Sequence, residues 1–164
     1  MKVYKDIVGG DELLSDAFAI KEDGPWYVVE GKYVTRAAGA GGIDIGGDSE
    51  VHHAEEADPS DVTVLNVADA HGLVPTEYSA ETYAGQVKRY LKKVSEAVPA
   101  DERAAWGQEI SRRIKAVLAD FDSYRFFTGQ SMHQEAMVVL MKTGEDGQTP
   151  FLYYIRHGLK AEER

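Results

Sequence analysis

The chain has no cysteine, which excludes disulfide staples, thiol nucleophiles and any zinc site built on thiolates. No stretch approaches the roughly 20 apolar residues of a membrane span, and no apolar run of the kind a secretion signal needs follows Met1-Lys2-Val3-Tyr4-Lys5-Asp6. The phosphate-cradling patterns are missing as well. Gly39-Ala40-Gly41-Gly42 completes neither GxGxxG nor GxxxxGK[ST], and acids rather than a lysine follow it, so it reads as flexible loop. Nothing matches HExxH. His52 and His53 are adjacent and would diverge on a helix, while His71, His133 and His157 are isolated from any nucleophile at recognisable spacing. These absences predict a soluble, cytoplasmic protein that is not an enzyme.

The most one-sided absence is of positive charge. The 51 residues from Ala37 to Val87 contain no Lys or Arg and ten acids, so they hold the whole net charge of -10 and the two flanks are balanced. Like charges are packed together only at high cost, so much of this block must face water or cations. A pI near 4.9 argues against general nucleic-acid binding and against anionic membranes.

With 164 residues and 43% apolar content, the chain suffices for one domain, 1–164, with a real core. Short strands are expected at Val3–Ile7, Ala17–Ile20 and Trp26–Thr35, punctuated by Asp23-Gly24-Pro25 and Glu30-Gly31-Lys32, as an antiparallel meander. Residues 38–61 are rich in glycine and acids and are expected to form a mobile acidic loop. A strand at Val62–Val67 follows. Ser79 then caps a helix with Tyr83, Val87, Tyr90, Leu91, Val94 and Val98 on one face, closed by Pro99. A second helix from about Asp101 carries Trp106, Ile110, Ile114, Val117, Leu118 and Phe121 on its apolar face. The short connection predicts an antiparallel hairpin over 79–121. Strands return at Met137–Lys142 and Pro150–Ile155 around Glu145-Asp146-Gly147. Strands, a helical pair and strands again predict an α+β fold with an antiparallel sheet.

Two charged features stand out. Asp44, Gly46, Asp48, Glu50 and Glu55 fall at EF-hand spacing, but glycine at the third position, Ser49 at the turn position and the lack of flanking helices rule out an EF-hand. The spacing is equally compatible with a weak cation site, of Kd on the order of 10⁻⁴ M, and with a solvated acidic loop. The hairpin is the basic counterpart, carrying Lys88, Arg89, Lys92, Lys93, Arg103, Arg112, Arg113 and Lys115, eight of the 18 basic residues. Lys88 and Lys92, like Arg89 and Lys93, are four apart and share the exposed side of the first helix. That face is either simply solvated or a dock for an acidic protein surface.

Several motifs together carry a resemblance. Phe121-Asp-Ser-Tyr-Arg-Phe-Phe-Thr-Gly-Gln-Ser-Met-His-Gln-Glu-Ala-Met137 and Glu145-Asp-Gly-Gln-Thr-Pro-Phe151 resemble the C-terminal signature region of the translationally controlled tumour protein family. Met1-Lys-Val-Tyr-Lys-Asp-Ile7, Asp11-Glu-Leu-Leu-Ser-Asp16, Val29-Glu-Gly-Lys32 and Ile45-Gly-Gly47 resemble its opening and the start of its first signature, so the likeness runs nearly the whole chain in order. Two departures stand out. Asp48 replaces the usual Asn, with Glu50-Val-His-His-Ala-Glu-Glu56 in place of the later part of the first signature. Gly129-Gln130 replaces the usual Gly-Glu.

The resemblance implies a β-tent fold, like that of the mammalian suppressor of Sec four, with a projecting helical hairpin and a mobile acidic loop. It further implies a cytoplasmic, calcium-binding, microtubule-associated regulator of growth control acting through a small GTPase or elongation factor. By the same likeness Glu12 is the GTPase-contact candidate, and Asp48, Glu50, Glu55 and Glu56 are the calcium candidates. The hairpin corresponds to the tubulin-associated region, with Lys88, Arg89, Lys92 and Lys93 as contact candidates. A monomer without organic cofactor is expected. A guanine-nucleotide-exchange regulator and a chaperone-like stress protein are the alternatives.

Overall fold

The computed structural model describes residues 1–37 and 61–164. Its largest sheet is antiparallel and is built on β10 (Pro150–Ile155) and β9 (Val139–Thr143) at the centre. Val138 to Met141 are all buried, as a continuous apolar run requires of a strand covered on both faces. β4 (Trp26–Glu30) and β3 (Ile20–Asp23) extend this sheet on one side, and β8 (Tyr124–Thr128) and β7 (Val74–Thr76) on the other. A three-stranded sheet places β1 (Lys2–Asp6) between β11 (Leu159–Glu163) and β2 (Glu12–Ser15). A two-stranded ribbon joins β5 (Tyr33–Ala37) to β6 (Asp61–Leu65). Every strand pair among the described residues is antiparallel.

The helical hairpin is α2 (Ala80–Ser95) and α3 (Arg103–Ala119). The Ser79 side chain accepts from the Thr82 amide at 3.0 Å, satisfying one of the donors that a helix start leaves free. The Tyr83 and Phe121 rings lie 6.2 Å apart, so the start of α2 meets the end of α3 and the two run antiparallel. Tyr83, Val87, Tyr90 and Val94 of α2, and Trp106, Ile110, Ile114 and Val117 of α3, are buried and join the core shared with the strands. Among the described residues no helix is long and apolar enough to cross a membrane.

Four local expectations are corrected. The strand expected at Ala17–Ile20 starts at Ile20, because the Ala17 amide donates to Ser15 Oγ and the Phe18 amide to Ser15 O, closing a turn first. The first strands are not one meander, since β1 and β2 pair in one sheet and β3 and β4 in another, and β5 leaves both. The stretch read as strand through Val67 ends at Leu65. Asn66 there accepts from the Lys32 and Val67 amides and opens the short helix α1 (Asn66–His71), which closes on Gly72 in the left-handed region at φ 65°. Strands β2, β7, β8 and β11 fall outside the strands expected from the sequence, and β2, β7 and β11 lack the usual apolar alternation. Pro75 fits β7 because that strand is an edge.

Candidate interaction sites

The basic residues of the hairpin separate into two groups. On α3 most engage the protein itself. Arg112 and Arg113 both pair with Glu109, Arg113 also reaches Asp23 at 3.2 Å, and Arg103 donates to Val98 O at 2.9 Å. Hydrogen bonds from Arg112 and then Arg113 hold the Glu109 carboxyl below its ordinary range. On α2, Lys88, Arg89, Lys92 and Lys93 are all exposed. Lys93 pairs with Glu135 at 2.5 Å, whereas Lys88, Arg89 and Lys92 form no ion pair among the described residues. Beside them runs a shallow groove of about 370 Å³ between the two helices, with Leu91, Trp106 and Ile110 as its apolar part. A row of cations next to apolar surface suits an acidic segment that also carries apolar side chains.

Glu12 lies on β2, an edge of its sheet. Its two carboxyl oxygens are divided between partners: Oε2 is 2.9 Å from His71 Nδ1, and Oε1 is 2.9 Å from an Arg164 guanidinium nitrogen. The His71 side chain is only 4% exposed, so α1 brings a nearly enclosed imidazole to a half-buried acid. Next to it, Asp11 Oδ2 accepts from the Ser131 amide at 3.1 Å and hydroxyl at 2.7 Å. The Gln130 side chain packs against Gly72 at the end of α1. The Gly129-Gln130 departure therefore sits at the Glu12 corner. The resemblance singled out Glu12 alone; its partners here, His71 and Arg164, lie 59 and 152 positions away and share no motif with it.

Asp48, Glu50, Glu55 and Glu56, with Gly39–Gly42, His52 and His53, lie outside the described residues. The backbone that brackets them is described: Ala37 pairs with Asp61 in the ribbon, so residues 38–60 leave and rejoin the fold at neighbouring points. Among the described residues, no group of three or more His, Asp or Glu is placed to hold a metal.

The described histidines have other engagements. His71 faces Glu12, His133 Nδ1 accepts from the Glu135 amide at 3.2 Å, and His157 stacks edgewise on Trp106 with ring centres 6.0 Å apart. Among the described residues none is hydrogen-bonded to a serine or threonine hydroxyl, the pairing by which a histidine activates such a nucleophile.

Comparison with known proteins agrees with this architecture. The family model described as translationally controlled tumour protein matches residues 1–160. The translationally-controlled tumor protein homolog of Schizosaccharomyces pombe is 38% identical over 173 aligned positions, covering 99% of each chain. The mouse translationally-controlled tumor protein is 35% identical over 174, again covering 99% of each. Among solved structures, the translationally controlled tumor-associated protein of Schizosaccharomyces pombe superposes with a TM-score of 0.82 at 35% identity, covering 100% of both chains. The translationally-controlled tumor protein of Caenorhabditis elegans shares the fold, with a TM-score of 0.70 at 23% identity and coverage of 100% and 99%.

Proposed function

The chain belongs to the translationally controlled tumour protein family, and from that premise we propose that it is a non-enzymatic cytoplasmic regulatory protein whose helical hairpin docks acidic partners of the tubulin-tail type. One observation carries this reading: Lys88, Arg89 and Lys92 line one side of an apolar groove without an ion-pair partner among the described residues. Exposed charges separated by solvent are screened by salt, so the association should weaken as ionic strength rises. Microtubule co-sedimentation at low salt tests it. The Lys88→Glu, Lys92→Glu double variant should bind about tenfold more weakly, since two attractive contacts become repulsive. Unchanged co-sedimentation overturns the reading.

A second reading, contact with a small GTPase or elongation factor, draws support from the position of Glu12 on an edge strand. Edge strands leave backbone donors and acceptors free for a partner. In this reading Glu12 must exchange His71 and Arg164 for groups of the partner. Release of labelled GDP from candidate GTPases tests an exchange activity, and equal acceleration by Glu12→Gln removes Glu12 from it. Weak calcium binding by Asp48, Glu50, Glu55 and Glu56 completes the proposal. In a calcium titration followed by NMR, shifts confined to the sheets and absent from residues 44–61 would refute it.

A further inference from the structure

Trp106 supplies the largest apolar side chain of the hairpin groove from α3 and is only 9% exposed. Against it lies His157, a half-buried residue of the short turn Arg156–Gly158 between β10 and β11, with ring centres 6.0 Å apart and planes inclined by 70°. We propose that His157 is a pH-sensitive prop for this groove: the neutral imidazole holds Trp106 in place, and the protonated one turns out toward water and lets Trp106 loosen. The effect on acidic partners rests on the docking reading above, whereas the movement of the two rings stands without it.

Two enclosed nitrogens carry the argument. Trp106 Nε1 and His157 Nδ1 are buried, and neither has a hydrogen-bond partner among the described residues. An indole N–H can only donate, whereas Nδ1 of a histidine accepts in one neutral tautomer and donates in the cation. With His157 neutral, the enclosed pair is therefore one donor and one acceptor. With His157 charged, it becomes two donors and a positive charge without an acceptor, and a buried charged group left unmatched is penalised more heavily than a neutral one. The charged groups around the ring offer a way out. Arg156 of the same turn repels the cation, while Glu102 at the start of α3 and Glu22 of β3 attract it. Both carboxylates are exposed, so a ring drawn toward them moves toward water. The backbone on either side is pinned, the Arg156 amide donating to Pro25 O at 2.9 Å and Gly158 O accepting from the Ile7 amide at 2.9 Å. The response is therefore a side-chain rotation and not an unfolding of the turn. Burial, and then Arg156, hold the pKa below 6.5, which sets the acid side of that value as the range of the change. Tryptophan is among the residues that most often anchor interfaces, so loosening Trp106 disturbs the groove where an apolar side chain of a partner would seat.

The test is an NMR titration of the full chain from pH 7.5 downward until the His157 ring signals are those of the cation. At pH 7.5 cross-relaxation between the Trp106 and His157 rings is expected from their separation. It should be lost as the imidazole charges, with the Trp106 indole N–H signal moving at the same midpoint. His157→Gln is neutral at every pH, so its Trp106 signal should stay in place over the same range. Microtubule co-sedimentation at low salt should weaken about fivefold across that midpoint, the low end of the usual coupling between sites, and His157→Gln should bind equally on both sides of it. Ring-to-ring cross-relaxation that persists in the charged form, or a Trp106 signal that moves alike in His157→Gln, overturns the proposal. Binding that ignores pH while Trp106 moves overturns the regulation of docking. Binding absent at every pH overturns the docking reading alone, and the two NMR outcomes still decide the prop.

Discussion

Replacing Tyr90 by Phe removes one hydroxyl from the point where the hairpin is tied to both ends of the chain. Tyr90 is 1% exposed and donates at 2.9 Å to Asp6 Oδ1, with a longer contact of 3.4 Å to Gly158 O. Burial, and next the Asp6 carboxyl, push the hydroxyl above its ordinary pKa of 10.0, so it remains a donor throughout the working pH range. Asp6 is 3% exposed, and it also accepts from the Val8 amide at 3.0 Å and the Met137 amide at 2.8 Å. In Tyr90→Phe the ring keeps its apolar burial and Asp6 keeps two donors, so the loss is one buried hydrogen bond, about 2 kcal/mol. In Asp6→Ala both amides lose their acceptor inside the fold and the hydroxyl keeps only the longer contact to Gly158 O, which raises the cost to about 3–5 kcal/mol. Against a total stability of about 5–15 kcal/mol, the two variants should separate clearly in urea unfolding, by midpoint at constant slope. A Tyr90→Phe effect below about 0.5 kcal/mol, or an Asp6→Ala effect no larger than that of Tyr90→Phe, refutes the reasoning.

Other consequences follow from neighbouring contacts. Gly158→Ala would drive a methyl into the Tyr90 hydroxyl and to 2.9 Å from the Met137 methyl. Overpacking of a fixed ring there should cost about 1–3 kcal/mol, seen as a lower Tm, and an unchanged Tm would mean that the approach is not close. Burial, and then Arg156, lower the His157 pKa below 6.5 against the opposing pull of Glu102 and Glu22, with the Trp106 ring covering one side. The folded state therefore holds this proton less tightly than the unfolded one. Its contribution to stability is complete above about pH 6.5 and is lost as pH falls through the folded pKa. His157→Gln should flatten the fall in Tm between pH 7.5 and 5.5, and an identical fall in both proteins would exclude the effect. Hydrogen bonds from the Thr149 hydroxyl and amide, and then the Gln148 amide, pull the Asp146 carboxyl down to about 2. An NMR titration should find that midpoint, and Thr149→Val should raise it; a midpoint near 3.8 in the unaltered protein contradicts the geometry.

The elements that were legible in advance are those whose sequence pattern has its own period. The hairpin follows from apolar residues at three- and four-residue steps behind a serine cap, and β10 coincides with the apolar, aromatic-rich strand expected at Pro150–Ile155 after the Glu145-Asp146-Gly147 turn. The illegible elements borrow their order from a partner. Leu159–Glu163 is mostly charged and becomes a strand because β1 pairs with it across the whole register from Lys2 to Asp6. Glu12–Ser15 is extended for the same reason.

By itself, the sequence determined the α+β composition, the helical hairpin with its cationic outer face, the one-sided charge of residues 37–87 and, through its signatures, the family. Only the tertiary structure decided which charges are already matched. The pairing of Glu109 with Arg112 and Arg113 spans three and four residues of one helix. Lys93, however, looks no different in sequence from Lys88, Arg89 and Lys92. Only the fold gives it Glu135, as it gives Arg113 a second partner in Asp23, while the other three have none among the described residues. Glu12 likewise becomes a shared acid only when His71 and Arg164 are folded against it. The physical reason is range: periodicity and capping act within a few residues, whereas electrostatic pairing depends on distances in space that chain order does not encode.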